Sequence, residues 1–169
     1  MTNPTINSNY LFDDKSIAIG WYPCGEELEQ ILLANYNVFV SLVTTEERSL
    51  LGEYYSRVHK IASSNIFLSY SITDNSIPDE MENFKLLIKT ILSLKNLGYK
   101  IYIHCRGGHG RSGIVAACLL KELGVSSENA LAEVQKWHNT RENLPFYPSP
   151  STNEQREFVK KYEIDREIL

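Results

Sequence analysis

The chain has 169 residues, 43% of them hydrophobic and 22% charged, which describes one globular domain with material for a sizeable core. A net charge of −4 speaks against a general nucleic-acid binder, which carries a basic surface. No apolar run approaches the ~20 residues of a membrane span. Met1–Asn9 is polar and lacks an apolar signal core. Thr2 excludes the N-myristoylation pattern, and the closing Glu167-Ile168-Leu169 carries no prenylation cysteine. Three cysteines cannot all pair within one chain, so reduced thiols and a cytoplasmic location are expected.

In chain order, residues 1–14 read as a loosely held polar arm, with the folded domain taken as 15–169. Ser16–Gly20 reads as the first strand. Glu26–Tyr36 places Leu28, Ile31 and Leu32 at helical spacing. Val38–Val43 is a buried strand, and Thr44 or Thr45 can cap a short helix that opens on Glu46 and Glu47 and ends near Tyr55. Ile66–Tyr70 is the next strand. Pro78 suits a helix start, with Asp79 and Glu80 in its acidic first turn. The helix through Leu97 carries Phe84, Leu87, Ile88, Ile91, Leu92 and Leu94 on one broad face. Tyr99–Ile103 is a strand, and Gly110–Leu123 a helix. Ser126 or Ser127 caps a further helix over Glu128–Thr140, Arg141–Pro150 is a proline-bearing loop, and a last helix runs from Ser151 to Ile164. Strands alternating with helices predict an α/β domain with a central, mostly parallel sheet flanked by helices. Sites in such sheets lie at the carboxyl ends of strands.

The run from His104 to Gly113 occupies such an end. Cys105 and Arg111 are separated by Arg106-Gly107-Gly108-His109-Gly110, between a strand and a helix start. A glycine loop there presents backbone N–H groups and the positive end of a helix dipole, which suits a dianion. The same field favours the thiolate form of Cys105 as a nucleophile. Arg111 can hold two phosphate oxygens in its planar fork. A guanidinium at a helix N-terminus is otherwise misplaced, and a bound anion explains it. Arg106 and His109 either face solvent or add positive charge at the pocket rim. The four histidines show no zinc-type spacing, and no metal or other cofactor is expected.

His104-Cys105-x5-Arg111-Ser112 resembles the signature of the cysteine-dependent protein tyrosine and dual-specificity phosphatases. Ile72–Asp79 resembles the general-acid loop of the compact, kinase-associated-phosphatase-like branch, and Pro148–Gln155 its late Thr-x-x-Gln element. The resemblance runs from about Ser16 to about Asp165. It implies the phosphatase fold with its phosphate-binding loop at 106–111. It also implies that Cys105 forms a cysteinyl-phosphate, that Asp74 is general acid and then base, and that Ser112 bonds the departing thiolate. His104 has a supporting role. Gln155 either orients water in the second step or is a solvated helix residue. Asp79 rivals Asp74, but after Pro78 it reads more simply as a helix-start acid. Cys24 could pair with Cys105 on oxidation, as a second cysteine does in some members, and Cys118 reads as core. The substrate implied is a phosphorylated protein. A phosphoinositide, an RNA 5′-phosphate, or a phosphate-reading module without turnover are the alternatives.

Overall fold

The computed structural model describes residues 2–52, 54–61 and 64–165. Five strands form one sheet: β1 (Ser8–Tyr10), β2 (Ile17–Gly20), β3 (Val38–Ser41), β4 (Ile66–Ser69) and β5 (Ile101–His104). Their spatial order is β1-β2-β5-β3-β4. β2, β5, β3 and β4 run parallel to one another, and β1 runs antiparallel to β2. The expected α/β class with a mostly parallel sheet is therefore what the chain adopts.

The helices are α1 (Gly25–Leu33), α2 (Thr45–Leu51), α3 (Tyr55–Ile61), α4 (Met81–Asn96), α5 (Arg111–Glu122), α6 (Ser127–His138) and α7 (Asn153–Lys161). The period-2 alternation of the strands divides the core between them. Ile17, Ile19, Val38, Val40, Ile101 and Ile103 pack with Phe84, Ile88 and Ile91 of α4 and with α5, α6 and α7. Ala18, Phe39 and Tyr102 face the other way, against Leu28 and Ile31 of α1 and Val58 of α3. α5 is buried along its whole first part, Arg111–Leu120, because it runs through the larger of these two layers.

Three expectations are corrected here. The arm is not loose: Ser8–Tyr10 extends the sheet, Leu11 is fully buried, and Asn7, Ser8 and Asn9 are buried polar residues. Its polarity hid a strand whose side chains are satisfied by hydrogen bonds, as in Thr5 N to Ser8 Oγ at 2.9 Å. The helix expected to end near Tyr55 stops at Leu51, because Gly52, at φ +84°, ends α2, and an unexpected helix, α3, starts at Tyr55. Pro78 and Asp79 precede α4, whose N-cap is Glu80, so Asp79 is not a first-turn acid. Among the described residues no helix is long and apolar enough to cross a membrane.

Candidate active site

β5 is the central strand, flanked by β2 and β3, and Cys105 follows its last residue. The loop 105–110 then turns into α5, whose N-cap, Gly110, offers no side-chain hydrogen bond to the first turn. Those N–H groups therefore remain as the positive end of the helix. Gly108 has φ +75°, and a Cβ there would lie 2.3 Å from the Gly20 carbonyl carbon. Only glycine lets the loop lie this close to β2.

Cys105 lies at the floor of a cavity of about 460 Å³. Its Sγ accepts the Gly108 N–H at 3.2 Å and lies 3.5 Å from Ser112 Oγ. The adjoining His104 is fully buried. Its Nε2 is 2.7 Å from the Tyr54 hydroxyl, and its Nδ1 is 3.2 Å from the Cys105 carbonyl. A carbonyl only accepts, so Nδ1 carries the proton and Tyr54 donates to Nε2. Burial holds the imidazole down at about 3, so the ring is neutral.

Arg111 is 1% exposed. Nη1 and Nη2 donate to Glu47 Oε2 and Oε1 at 2.7 and 2.8 Å, and Nη1 also donates to the Ile72 carbonyl at 2.8 Å. Nη2 is 3.1 Å from Asp74 Oδ1. The buried Nε has no hydrogen-bond partner among the described residues. The Nη1–Nη2 edge of the fork therefore faces Glu47, and the Nε–Nη2 edge is the one available to an oxyanion. Burial works against the charge of Arg111, but Glu47, Cys105 and Asp74 together outweigh it and raise the group.

Glu47 was expected only as a first-turn helix acid. It is that: Thr44 and Glu47 form a reciprocal capping box on α2. The same carboxylate then spans to the phosphate loop. The capping pattern Thr44-x-x-Glu47 is visible in the sequence, but nothing in it points to Arg111.

Asp74 lines the cavity beside Cys105, with its side chain half exposed. The following Asn75, at φ +58°, donates its N–H to Asp74 Oδ1 at 3.0 Å and turns the chain there. Asp79 is exposed and does not line this cavity.

Gln155 is fully buried, not a solvated helix residue. Its Oε1 accepts from the Ser151 and Thr152 N–H groups, and its Nε2 donates to the Ser76 carbonyl at 3.0 Å. It thus ties α7 to the loop that carries Asp74. Neither expectation for His109 fits either. Its half-buried ring lies 4.4 Å from the Tyr147 ring and bonds His138 through Nδ1 at 2.7 Å. His138 Nδ1 donates to the Pro145 carbonyl, so His138 Nε2 accepts from His109 Nδ1. Burial and the charge of Arg141 hold His109 and His138 at about 3 and about 4. His109 is therefore neutral, and of the two variable residues only the exposed Arg106 brings charge to the rim.

Trp21, Leu51, Leu144 and Tyr147 complete the cavity wall. Cys24 is exposed at the N-cap of α1 and lines a separate cavity with Tyr22 and Tyr54, while Cys118 is buried. Among the described residues no group of three or more His, Cys, Asp or Glu could hold a metal ion.

Residues 23–156 match the family model of a Swiss Army Knife protein, the DSP-PTPase phosphatase domain. The chain belongs to this phosphatase family. It is 31% identical over 168 residues to 067L of Invertebrate iridescent virus 3, named as a candidate tyrosine phosphatase. That match covers 92% of this chain but 65% of 067L, so the chain spans under two-thirds of that relative. Among solved structures, Tk-PTP in its active form superposes with a TM-score of 0.73 at 25% identity, covering 92% of this chain and 95% of the other. Kinase associated phosphatase shares the fold, with a TM-score of 0.75 at 18% identity and coverage of 94% and 93%. The expected dual-specificity and tyrosine phosphatase family, and its fold, are thereby established.

Proposed function

We propose that this chain hydrolyses phosphomonoesters, with phosphotyrosine-type protein substrates foremost, through a cysteinyl-phosphate intermediate. The Cys105 thiolate attacks phosphorus as the bond to the leaving oxygen breaks, and Asp74 donates its proton to that oxygen. Water then attacks the cysteinyl-phosphate and gives a proton to Asp74. The thiolate departs onto the Ser112 hydroxyl, and inorganic phosphate is released. Arg111 and the loop N–H groups other than that of Gly108, which bonds Cys105 Sγ, hold the equatorial oxygens throughout. The observation that carries this reading is one cavity in which Cys105 Sγ accepts the Gly108 N–H while Asp74 lies against Arg111.

The wall favours an aryl phosphate over a polyanion. Trp21, Leu51, Leu144 and Tyr147 suit a ring and its apolar flanks, and Arg111 is already shared with two carboxylates. A phosphoinositide or RNA 5′-end would draw on more cations than Arg106 supplies. The free thiols of Cys24, Cys105 and Cys118 fit a reducing compartment such as the cytoplasm. The catalytic unit we propose starts within the arm rather than at residue 15, because β1 belongs to the sheet.

The test compares p-nitrophenyl phosphate, phosphotyrosine and phosphothreonine peptides, a phosphoinositide and 5′-triphosphate RNA. Wild-type protein should prefer the aryl esters, with rates unaffected by EDTA, and Cys105→Ser should be inactive on all. Comparable turnover by Cys105→Ser would end the covalent mechanism. A clear preference for the phosphoinositide or RNA would end the substrate reading.

A further inference from the structure

The segment that follows α6 holds a buried cation that the reaction above does not use. Arg141 is 3% exposed. Its Nε donates to Asn9 Oδ1 at 2.7 Å, and its Nη2 donates to the Gly108 carbonyl at 2.7 Å and the Ile19 carbonyl at 3.4 Å. Its Nη1 is buried without a partner among the described residues. Every one of these acceptors is neutral. A buried guanidinium without a hydrogen-bonded carboxylate is costly, and it persists where some other negative charge uses it.

Two facts locate that charge. A trans peptide is planar, so its C=O and N–H point in opposite directions. Arg141 draws the Gly108 carbonyl outward, and Ser149 Oγ does the same to the His109 carbonyl at 2.7 Å. The N–H groups of His109 and Gly110 are thereby turned away from this segment, into the concave side of the loop. The loop that Arg141 holds through Gly108 is the one that carries Cys105, whose Sγ accepts the Gly108 N–H at 3.2 Å. Burial lowers Arg141 to about 10, while Tyr102, Cys105 and Glu27 support its charge.

We propose that Arg141 is a positioning residue of the phosphate loop: it fixes the inward N–H of His109 and supplies Cys105 with a second buried positive charge behind Arg111. The proposal rests on the reading of Cys105 as the thiolate nucleophile. It also gives the arm a task, since Asn9 orients the guanidinium that orients the loop. The groups around Cys105 are then Arg111 and the Ser112 hydroxyl from α5, Arg141 from the segment after α6, Tyr102 and the neutral His104 from β5, and Asp74 and Arg106, which line the same cavity.

Two variants separate position from charge. Arg141→Met removes both the bond to Gly108 and the charge. Asn9→Asp keeps an acceptor for Nε and adds a compensating anion. The readouts are Cys105 alkylation by iodoacetamide against pH, followed at that residue by peptide mass spectrometry, and competitive inhibition by inorganic phosphate. Arg141→Met should move the alkylation profile to higher pH, slow alkylation at pH 6 by about tenfold, and weaken phosphate inhibition. Asn9→Asp should move the profile in the same direction with a smaller effect on phosphate. A residue that merely braced the fold would lower thermal stability and leave the alkylation profile of the folded protein in place. Unchanged profiles in both variants overturn the proposal even where wild-type protein turns over substrate. Wild-type protein that neither binds phosphate nor hydrolyses p-nitrophenyl phosphate overturns instead the reading of the site itself. If Arg141→Met does not fold, Asn9→Asp alone decides.

Discussion

Glu47 grips Arg111 with both carboxylate oxygens, at 2.7 and 2.8 Å, from a position 64 residues earlier in the chain. The pair fixes the plane of the guanidinium before any substrate arrives, so little ordering remains to be done during the reaction. Glu47→Ala removes the carboxylate held by the Nη1–Nη2 edge and half of the α2 capping box. Its expected cost is about 3 kcal/mol in chemical denaturation and at least about tenfold in kcat/KM. Glu47→Gln, which can still cap α2, should regain most of the stability and little of the kcat/KM. Equal recovery of both quantities would reduce Glu47 to a helix cap.

Asp74 and Asp79 are separated by leaving-group chemistry. Asp74→Asn should slow poor leaving groups far more than good ones, because only the former need the proton. Rates across a series of aryl phosphates should therefore fall steeply with leaving-group basicity in this variant. Asp79→Asn, altering an exposed residue before α4, should leave that dependence as in wild type. The reverse ranking would transfer the acid to Asp79.

Arg111→Lys keeps the charge and loses the fork. An ammonium cannot meet Glu47 with two parallel bonds and also present an Nε–Nη2 edge to an oxyanion. The expected loss in kcat is about a hundredfold or more, since the clamp acts on the transition state. Near-wild-type turnover would show that charge alone is enough at this position.

Acid should destabilise the fold before the ordinary carboxylate range is reached. His104, His109 and His138 are held at about 3, about 3 and about 4, chiefly by burial. An unfolded histidine titrates near 6.5, so below that pH the unfolded chain takes up protons that the native one refuses. Stability is complete above about 6.5 and falls with pH until the native values are reached. Glu47 works in the same direction at lower pH: burial raises it, but Arg111 and the hydrogen bonds of Thr44 together outweigh burial and set it below its usual range. With three such histidines, and pH 4.5 lying about two units below the unfolded value of each, denaturation at pH 7 and pH 4.5 should differ by at most about 8 kcal/mol. His138→Gln, which can still donate to the Pro145 carbonyl, should flatten the difference. An unchanged slope would mean that His138 is protonated in the native state.

Much of the fold could be read from local pattern, because hydrophobic alternation and helical spacing are local quantities. Ser16–Gly20, Val38–Val43 and Tyr99–Ile103 announce themselves as strands, and Cys105, Arg111 and Ser112 fall within one short glycine-rich run at a helix start, which suits an anion. What escaped was set by contacts distant in sequence. Ser8-Asn9-Tyr10 looks like solvated arm until Asn9 meets Arg141 and β1 meets β2. Glu47 has a complete local explanation as a cap, which hides its second role. His109 looks like a rim cation until His138 and Tyr147 enclose it. Arg141 lies in a proline-bearing loop where no periodicity marks it as buried. In each case a polar residue carries no sign of whether its partner is water or another part of the chain.

The stretch between Arg141 and Ser149 is anchored at both ends to the phosphate loop, yet between those anchors Leu144, on the cavity wall, and Phe146 stay exposed. On the proposed function, those two positions are where recognition could be rewritten without replacing Cys105, Asp74 or Arg111. A library randomised at 144 and 146 alone would sample new preferences for the residues flanking a phosphorylated side chain, while the tethers that aim the loop stay in every member.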